Sequence, residues 1–327
     1  MRFFKRFACI FTMLCLFQGG FATAAHAAIT LGVSDWPGWV AWYVAKKEGY
    51  FHKYHVDVKL VWFPSYVDSI NALSAGQLDA NSQALIDSLA PIEKGLPLKV
   101  ILVTDNSAGN DALMVANSIH TFGDLTGKTI AVEKSSIEEY LATTAMRRRG
   151  FDPKKAKWVY MGTGDAAAAL MAGRVDGAGV WNPWINRVAL AHQGHALVTS
   201  ADFPGLIPDL VVAQESALKK HRQEFVGLVK AWYDVVRFIH RNPLRAAEIM
   251  APHVGLHAKE YELSLKGTRL FDVRLNRQAM QKDRSPVSLY RSTVDTGAFL
   301  KAVGAITKVP DPSAFIDPYY VRAAARH

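Results

Sequence analysis

The sequence predicts an α/β protein made of two similar lobes with a cleft between them, each lobe a mainly parallel sheet flanked by helices. Three observations carry this. The string Ala-Leu-Ser-Ala-Gly-Gln-Leu-Asp-Ala at 72–80 returns as Ala-Leu-Met-Ala-Gly-Arg-Val-Asp-Gly at 169–177, an offset of 97 residues that Asp68 and Asp165 share. Phe51 after Gly49-Tyr50 and Phe151 after Gly150 each follow an amphipathic stretch and lead into a strand-like run, 56–63 and 157–161. Each half then alternates strand and helix, the pattern of a layered α/β domain. A single Ala-Gly-x-x-Asp is an ordinary helix end and turn, but two with the same flanking order indicate a repeated architecture.

Taken in order, residues 1–27 read as an export signal. Arg2, Lys5 and Arg6 form the basic start, 7–17 the short apolar core, and Ala25-His26-Ala27 the cleavage site, with cleavage after Ala27. Both cysteines, Cys9 and Cys15, fall in this segment. The exported chain then holds no disulfide, thiolate metal site or thiol nucleophile, and relies on a large core that 50% hydrophobic residues can supply. Without the three basic residues of the leader, 38 Lys and Arg become 35 against 29 acids, a formal net of +6. Such mild, scattered basicity excludes a nucleic-acid binder and fits an ordinary solvated surface.

Beyond the leader, Ile29–Val33 alternates as a strand and 36–48 reads as a helix closed by Gly49. Short apolar strands follow at 80–83 and 99–103. Thr129–Val132 opens the second sheet, and Ser135 or Ser136 with Glu138 or Glu139 forms a capping box that starts a helix. The segment 178–181 is the second lobe's counterpart of 80–83. The run 206–213 reads as a strand that returns the chain to the first lobe. After it the pattern turns helical without strands, and Phe225, Leu228, Val229, Trp232, Val236 and Ile239 form a core-facing stripe. The expected division is 28–110 plus 208–327 for one lobe and 111–207 for the other.

The export signal, the opening Ser34-Asp35-Trp36-Pro37-Gly38-Trp39, the helix end Lys47-Glu48-Gly49-Tyr50-Phe51 and the paired Ala-Gly-x-x-Asp units resemble the solute-binding proteins of ABC importers. Within these the chain is most similar to the nitrate/sulfonate/taurine type, the SsuA/THI5-like or NMT1-like group, over roughly residues 29–250. The resemblance implies a type 2 periplasmic binding protein fold with two chain crossovers. It also implies a periplasmic monomer that closes on a small-molecule solute and presents it to an ABC permease in the inner membrane. It implies no cofactor.

In parallel α/β sheets ligands sit beyond the carboxyl ends of strands, where helix N-termini point their N–H groups. That rule selects Ser34, Asp35, Trp36 and Trp39; Ser82 and Asp87; Asp105, Asn110 and Asp111; Glu133 and Ser135; Trp181; and Asp209 on the return crossover. Lys134 is the one base in these segments, and half of the eight tryptophans fall there. Indole faces attract cations and carboxylates pair with N–H forks, so a cationic or amide-like nitrogen solute is the expectation. Two alternatives stand beside it. One is an anion such as nitrate, a sulfonate or taurine, held by helix N-termini and the hydroxyls of Ser34, Ser82, Ser135 and Ser136. The other is a periplasmic hydrolase using paired carboxylates in a tryptophan-lined cleft. Each acid also has a capping reading, and Asp79 and Asp176 read as turn residues. No metal-ligand spacing, nucleophile elbow or phosphate loop occurs, so an enzyme is not expected.

Overall fold

The computed structural model describes residues 28–326, so the export-signal reading lies outside the described residues. Eleven strands are described: β1 (Ile29–Val33), β2 (Val58–Trp62), β3 (Ala80–Ala84), β4 (Leu98–Ser107), β5 (Asp111–Val115), β6 (Thr129–Val132), β7 (Lys157–Tyr160), β8 (Gly177–Trp181), β9 (His195–Thr199), β10 (Pro208–Gln214) and β11 (Thr268–Leu270). They form two sheets, in the orders β11-β4-β10-β3-β1-β2 and β7-β6-β8-β5-β9. Both share one plan. β1 pairs in parallel with β2 and β3, and β6 pairs in parallel with β7 and β8. One antiparallel strand then follows, β10 against β3 and β4 in the first sheet and β5 against β8 and β9 in the second. Each inserted strand comes from the far side of a crossover, at 108–110 and again at 200–207. This is the two-lobe α/β architecture that the duplication implied.

The repeated motif has the same mechanical task in both sheets. Gly76 and Gly173 end their helices in the left-handed conformation, φ +72° and +67°, where a side chain would be strained. Three residues on, Asp79 accepts hydrogen bonds from the backbone N and the hydroxyl of Thr30, at 2.9 and 2.8 Å. Asp176 accepts from the backbone N of Thr129 at 2.8 Å. Each acid thus pins the third strand of its unit to the start of the first.

Several elements differ from their sequence reading. The expected helix over 36–48 is two short segments, Pro37–Val40 and Trp42–Lys47, and after left-handed Gly49 the chain resumes helix over Tyr50–Lys53. β4 runs to Ser107, well past 103, because β10 and β11 pair with it on either side. The C-terminal region is not purely helical, since β11 adds an edge strand to the first sheet.

The predicted apolar stripe lies on the helix Arg222–Arg241, and all six of its residues are buried. Trp232 packs its ring 4.9 Å from that of Trp42 beneath the first sheet. The helix Leu289–Ala302 packs on Leu85–Glu93 of the first lobe, and its Phe299 ring lies 4.9 Å from Tyr140 on the second lobe's helix Ile137–Arg148. The C-terminal region therefore touches both halves.

Asp79→Ala and Asp176→Ala should each lower the unfolding free energy by about 1–3 kcal/mol, since each strands a strand-end amide. Urea denaturation curves indistinguishable from the parent would contradict the pinning role.

Candidate functional site: a carboxyl-rich cleft between the sheets

A cavity of about 390 Å³ lies between the sheets, lined from both. The first lobe supplies Asp35, Trp36, Trp39, Tyr66, Asp87 and Asp209, and the second supplies Asp111, Glu133, Ser135, Glu138 and Trp181. Nine of the thirteen sequence-selected residues line it: Asp35, Trp36, Trp39, Asp87, Asp111, Glu133, Ser135, Trp181 and Asp209.

The other four stand outside the lining. Ser34 is buried with no partner for its hydroxyl. Ser82 is buried within the sheet, and its hydroxyl accepts from Trp42 Nε1 at 3.2 Å. Asp105 lies behind Trp36, whose Nε1 donates to it at 2.9 Å, and it also accepts from the Thr104 hydroxyl at 2.9 Å. Asn110 is a crossover anchor. Its Nδ2 donates to the Ser264 carbonyl and the Thr268 hydroxyl at 2.6 and 2.7 Å, while its Oδ1 accepts from Asn182 Nδ2 at 2.9 Å.

An aromatic wall supports the first-lobe side. Trp36 and Trp39 have ring centroids 6.2 Å apart, and Tyr66 lies 4.8 Å from Trp39. The Tyr66 hydroxyl donates to Asp87 at 2.7 Å and accepts from Ala84 N at 2.9 Å. Trp39 Nε1 is buried and unpartnered. Tyr66 was missed because the strand-end rule was not extended to the edge strand β2. The helix Tyr66–Ser74 follows β2 and sends Tyr66, Val67 and Ile70 into the lining. Leu300 and Ala305 also line the cavity, and no local pattern marks C-terminal residues for that position.

On the opposite side the chain turns from β6 into the helix Ile137–Arg148 through Ser135, held at φ +60°. Ser136 caps the helix by accepting from Glu139 N, and Glu139 accepts from Ser135 N at 2.6 Å. Lys134 is the sole base among the described lining residues. It is exposed, with its ammonium 5.6 Å from the Tyr160 ring.

The acids dominate the electrostatics. Burial raises Asp87 to about 7, against the hydrogen bond from Tyr66 and with help from nearby Glu133. Burial also raises Asp105 to about 6 and Asp111 to about 7. Glu138 is pushed well above the ordinary carboxylate range by burial and by Asp111, and Asp209 by burial and by Asp105 and Asp111. Burial raises Asp35 and Glu133 as well. Two glycines make room for this cluster. A Cβ on Gly38 would fall 1.8 Å from Asp105 Oδ2, and one on Gly179 would fall 2.6 Å from Glu138 Cβ.

Two sheets of this plan with a lined cleft between them give the type 2 periplasmic binding protein fold. The family model described as NMT1/THI5 like matches residues 36–246, and the chain belongs to that family. The taurine-binding periplasmic protein of Escherichia coli (strain K12) is 26% identical over 270 residues, 80% of this chain and 82% of that protein. Among solved structures, the periplasmic aliphatic sulphonate binding protein SsuA from Escherichia coli superposes with a TM-score of 0.76 at 20% identity, covering 89% of this chain and 92% of that one. The desulfurization enzyme DSZB shares the fold with a TM-score of 0.67 at 13% identity, covering 91% of this chain and 98% of that one. No described helix is long and apolar enough to cross a membrane.

Carboxyls that titrate higher in the folded chain than in an unfolded one favour the fold when protonated. For Asp87 and Asp111 that stabilisation is complete below the ordinary 3.8 and lost as pH rises through about 7. The ligand-free protein should therefore melt lower at about pH 8 than at about pH 5, and Asp87→Asn with Asp111→Asn should flatten the difference. A melting temperature that rises across this range, with the variants parallel to the parent, would contradict the assignment.

Proposed function

We propose that this chain is the periplasmic solute-binding component of an ABC importer, and that its solute carries a sulfonate-type anionic group. The observation that carries the reading is the cleft between two sheets joined only by crossovers, in a chain whose relative over four-fifths of its length is a taurine-binding periplasmic protein. That relationship favours the anion over the purely cationic or amide-like solute that the residue types alone led us to expect.

The anionic group would seat at the start of the helix Ile137–Arg148, where Ser135 and Ser136 line the cavity and Lys134 adds charge. Residues 28–110 with 208–327 would form one jaw and 111–207 the other. Solute would meet Trp36, Trp39 and Tyr66 first. Rotation at the two crossovers would then bring Ser135 and Trp181 over it. Exclusion of water strengthens the polar contacts made inside. The closed monomer is the form a membrane permease would read.

The acids favour a second reading, a nitrogen cation, because six carboxyl residues against one lysine line the cavity. A hydrolase has less support. The curated relatives that the chain matches are named as binding proteins, the taurine-binding and the aliphatic sulfonates-binding proteins of Escherichia coli among them.

A thermal-shift panel of ethanesulfonate, taurine, nitrate, choline and guanidinium tests the class. A bound solute at 100 times its dissociation constant adds about 2.7 kcal/mol of stability. Sulfonates should raise the melting temperature, and Lys134→Met should weaken them by about tenfold, about 1.4 kcal/mol. A panel in which only choline or guanidinium shifts the melt would overturn the anionic assignment.

A further inference from the structure

A second concavity lies at the end of the first sheet away from the cleft. β10 starts beside the cleft at Pro208 and Asp209 and ends at Gln214, which pairs with Leu98 at the start of β4. The helices Glu215–Lys220 and Arg222–Arg241 follow from that far end. The C-terminal segment reaches the same end, where Asp317 N donates to the Val100 carbonyl at 2.9 Å. Its last helix, Tyr319–Ala324, packs on Arg222–Arg241. Between the two helices lies a groove of about 550 Å³, and none of its lining residues lines the cleft.

The charge of this groove is one-sided. Lys230, Arg322 and Arg326 line it against Asp317 alone, and the Arg222 guanidinium lies 4.0 Å from the centre of the lining Tyr319 ring. Helical spacing produces the two facing rows, Arg222 with Lys230 eight residues on, and Arg322 with Arg326 four on. Among the described residues none of these four cations forms an ion pair. The neighbouring acids are otherwise engaged. Glu215 pairs with Lys219 at 2.8 Å, Glu224 bonds His221 at 3.4 Å, and Asp317 Oδ1 accepts from Tyr319 N at 3.0 Å. Exposed Lys220 adds one more positive charge at this end of the sheet. Val226, Pro318 and Ala323 complete an apolar wall, and a cleft with such walls and one sign of charge concentrates its field. The basicity looks scattered in sequence because these cations come from two stretches, 222–230 and 322–326, that only the helix packing joins.

We propose that this groove is a second binding site, separate from the cleft, for a phosphate-bearing anion with two or more negative charges. Three of the four cations are arginines, whose planar forks meet phosphate oxygens two at a time. Arg222 is already held against Tyr319, so it loses less freedom on binding than an unsupported side chain. Like charges gathered without acids repel one another, and an anion of matching charge seated among them removes that repulsion. A singly charged sulfonate or carboxylate does so poorly, which separates this site from the one in the cleft. The phosphate comes either from a free ester or from the headgroups of an anionic lipid, and both present the same oxygens. The site stands whether or not the sulfonate reading of the cleft does.

Two measurements on the purified protein test the site, titration calorimetry with inorganic pyrophosphate and cosedimentation with cardiolipin vesicles, phosphatidylcholine vesicles serving as the control. At least one phosphate probe should bind, and more weakly as salt rises. The double variant Lys230→Gln, Arg322→Gln should weaken that binding by about tenfold or more. The same variant should bind ethanesulfonate as the parent does, and Lys134→Met should bind pyrophosphate as the parent does. Without ligand the double variant should melt at or above the parent, since it relieves like-charge crowding at exposed positions. Pyrophosphate binding without vesicle capture assigns the site to a free phosphate ester. Capture by cardiolipin but not phosphatidylcholine, without pyrophosphate binding, assigns it to lipid headgroups. Binding of neither probe would overturn the site, as would binding that survives the double variant or is lost in Lys134→Met.

Discussion

Each sheet is completed by a strand that arrives from the other half of the chain, and the rest of the structure hangs on that exchange. β10 enters between β3 and β4, and β5 enters between β8 and β9, both antiparallel to their neighbours. Neither sheet can form fully without the other half, so the two units are tied together by two crossovers and by the C-terminal contact of Phe299 with Tyr140. The exchange also decides where the acids go. Asp209 opens β10 opposite Asp105, Asp111 opens β5 opposite Trp181, and both crossing strands deliver a carboxyl to the cleft. Ser107, Gly109 and Asp111 converge on the Ser200 hydroxyl, which fastens one crossover to the other.

The carboxyl cluster and the kinship to sulfonate-binding proteins pull in different physical directions. A sulfonate gains from the helix start at Ser136 and loses from any ionised acid beside it. That start is partly served already, by Glu139 on Ser135 N. The raised titration of Asp87, Asp111, Glu138 and Asp209 lessens the conflict, because protonated carboxyls repel an anion far less than ionised ones.

Much of this was legible in the chain. The nine-residue repeat carries the duplicated unit, because its glycine must adopt left-handed φ and its aspartate must reach a fixed strand start; both demands are local. The strand-end rule brought nine residues to the cavity for the same reason, since short βα turns fix where the next residues point. It failed at Ser82, which sits inside β3 and bonds Trp42, and at Asp105, which β4 holds within the ladder behind Trp36. Strand length here depends on pairing with β10 and β11, which lie more than a hundred residues away. Tyr66 was within the rule's reach. Leu300 and Ala305 were not, because only the packing of the helix Leu289–Ala302 brings them to the cleft. Solute charge was the least legible property, since carboxyls whose titration is raised by burial look in sequence like ordinary carboxylates.

Closure of two jaws on a solute is the claim on which the account turns. Small-angle X-ray scattering of the protein with and without saturating taurine measures it directly. The account predicts a smaller radius of gyration and a shorter maximum dimension once solute is bound. Identical scattering curves, with binding confirmed by calorimetry in the same sample, would contradict it.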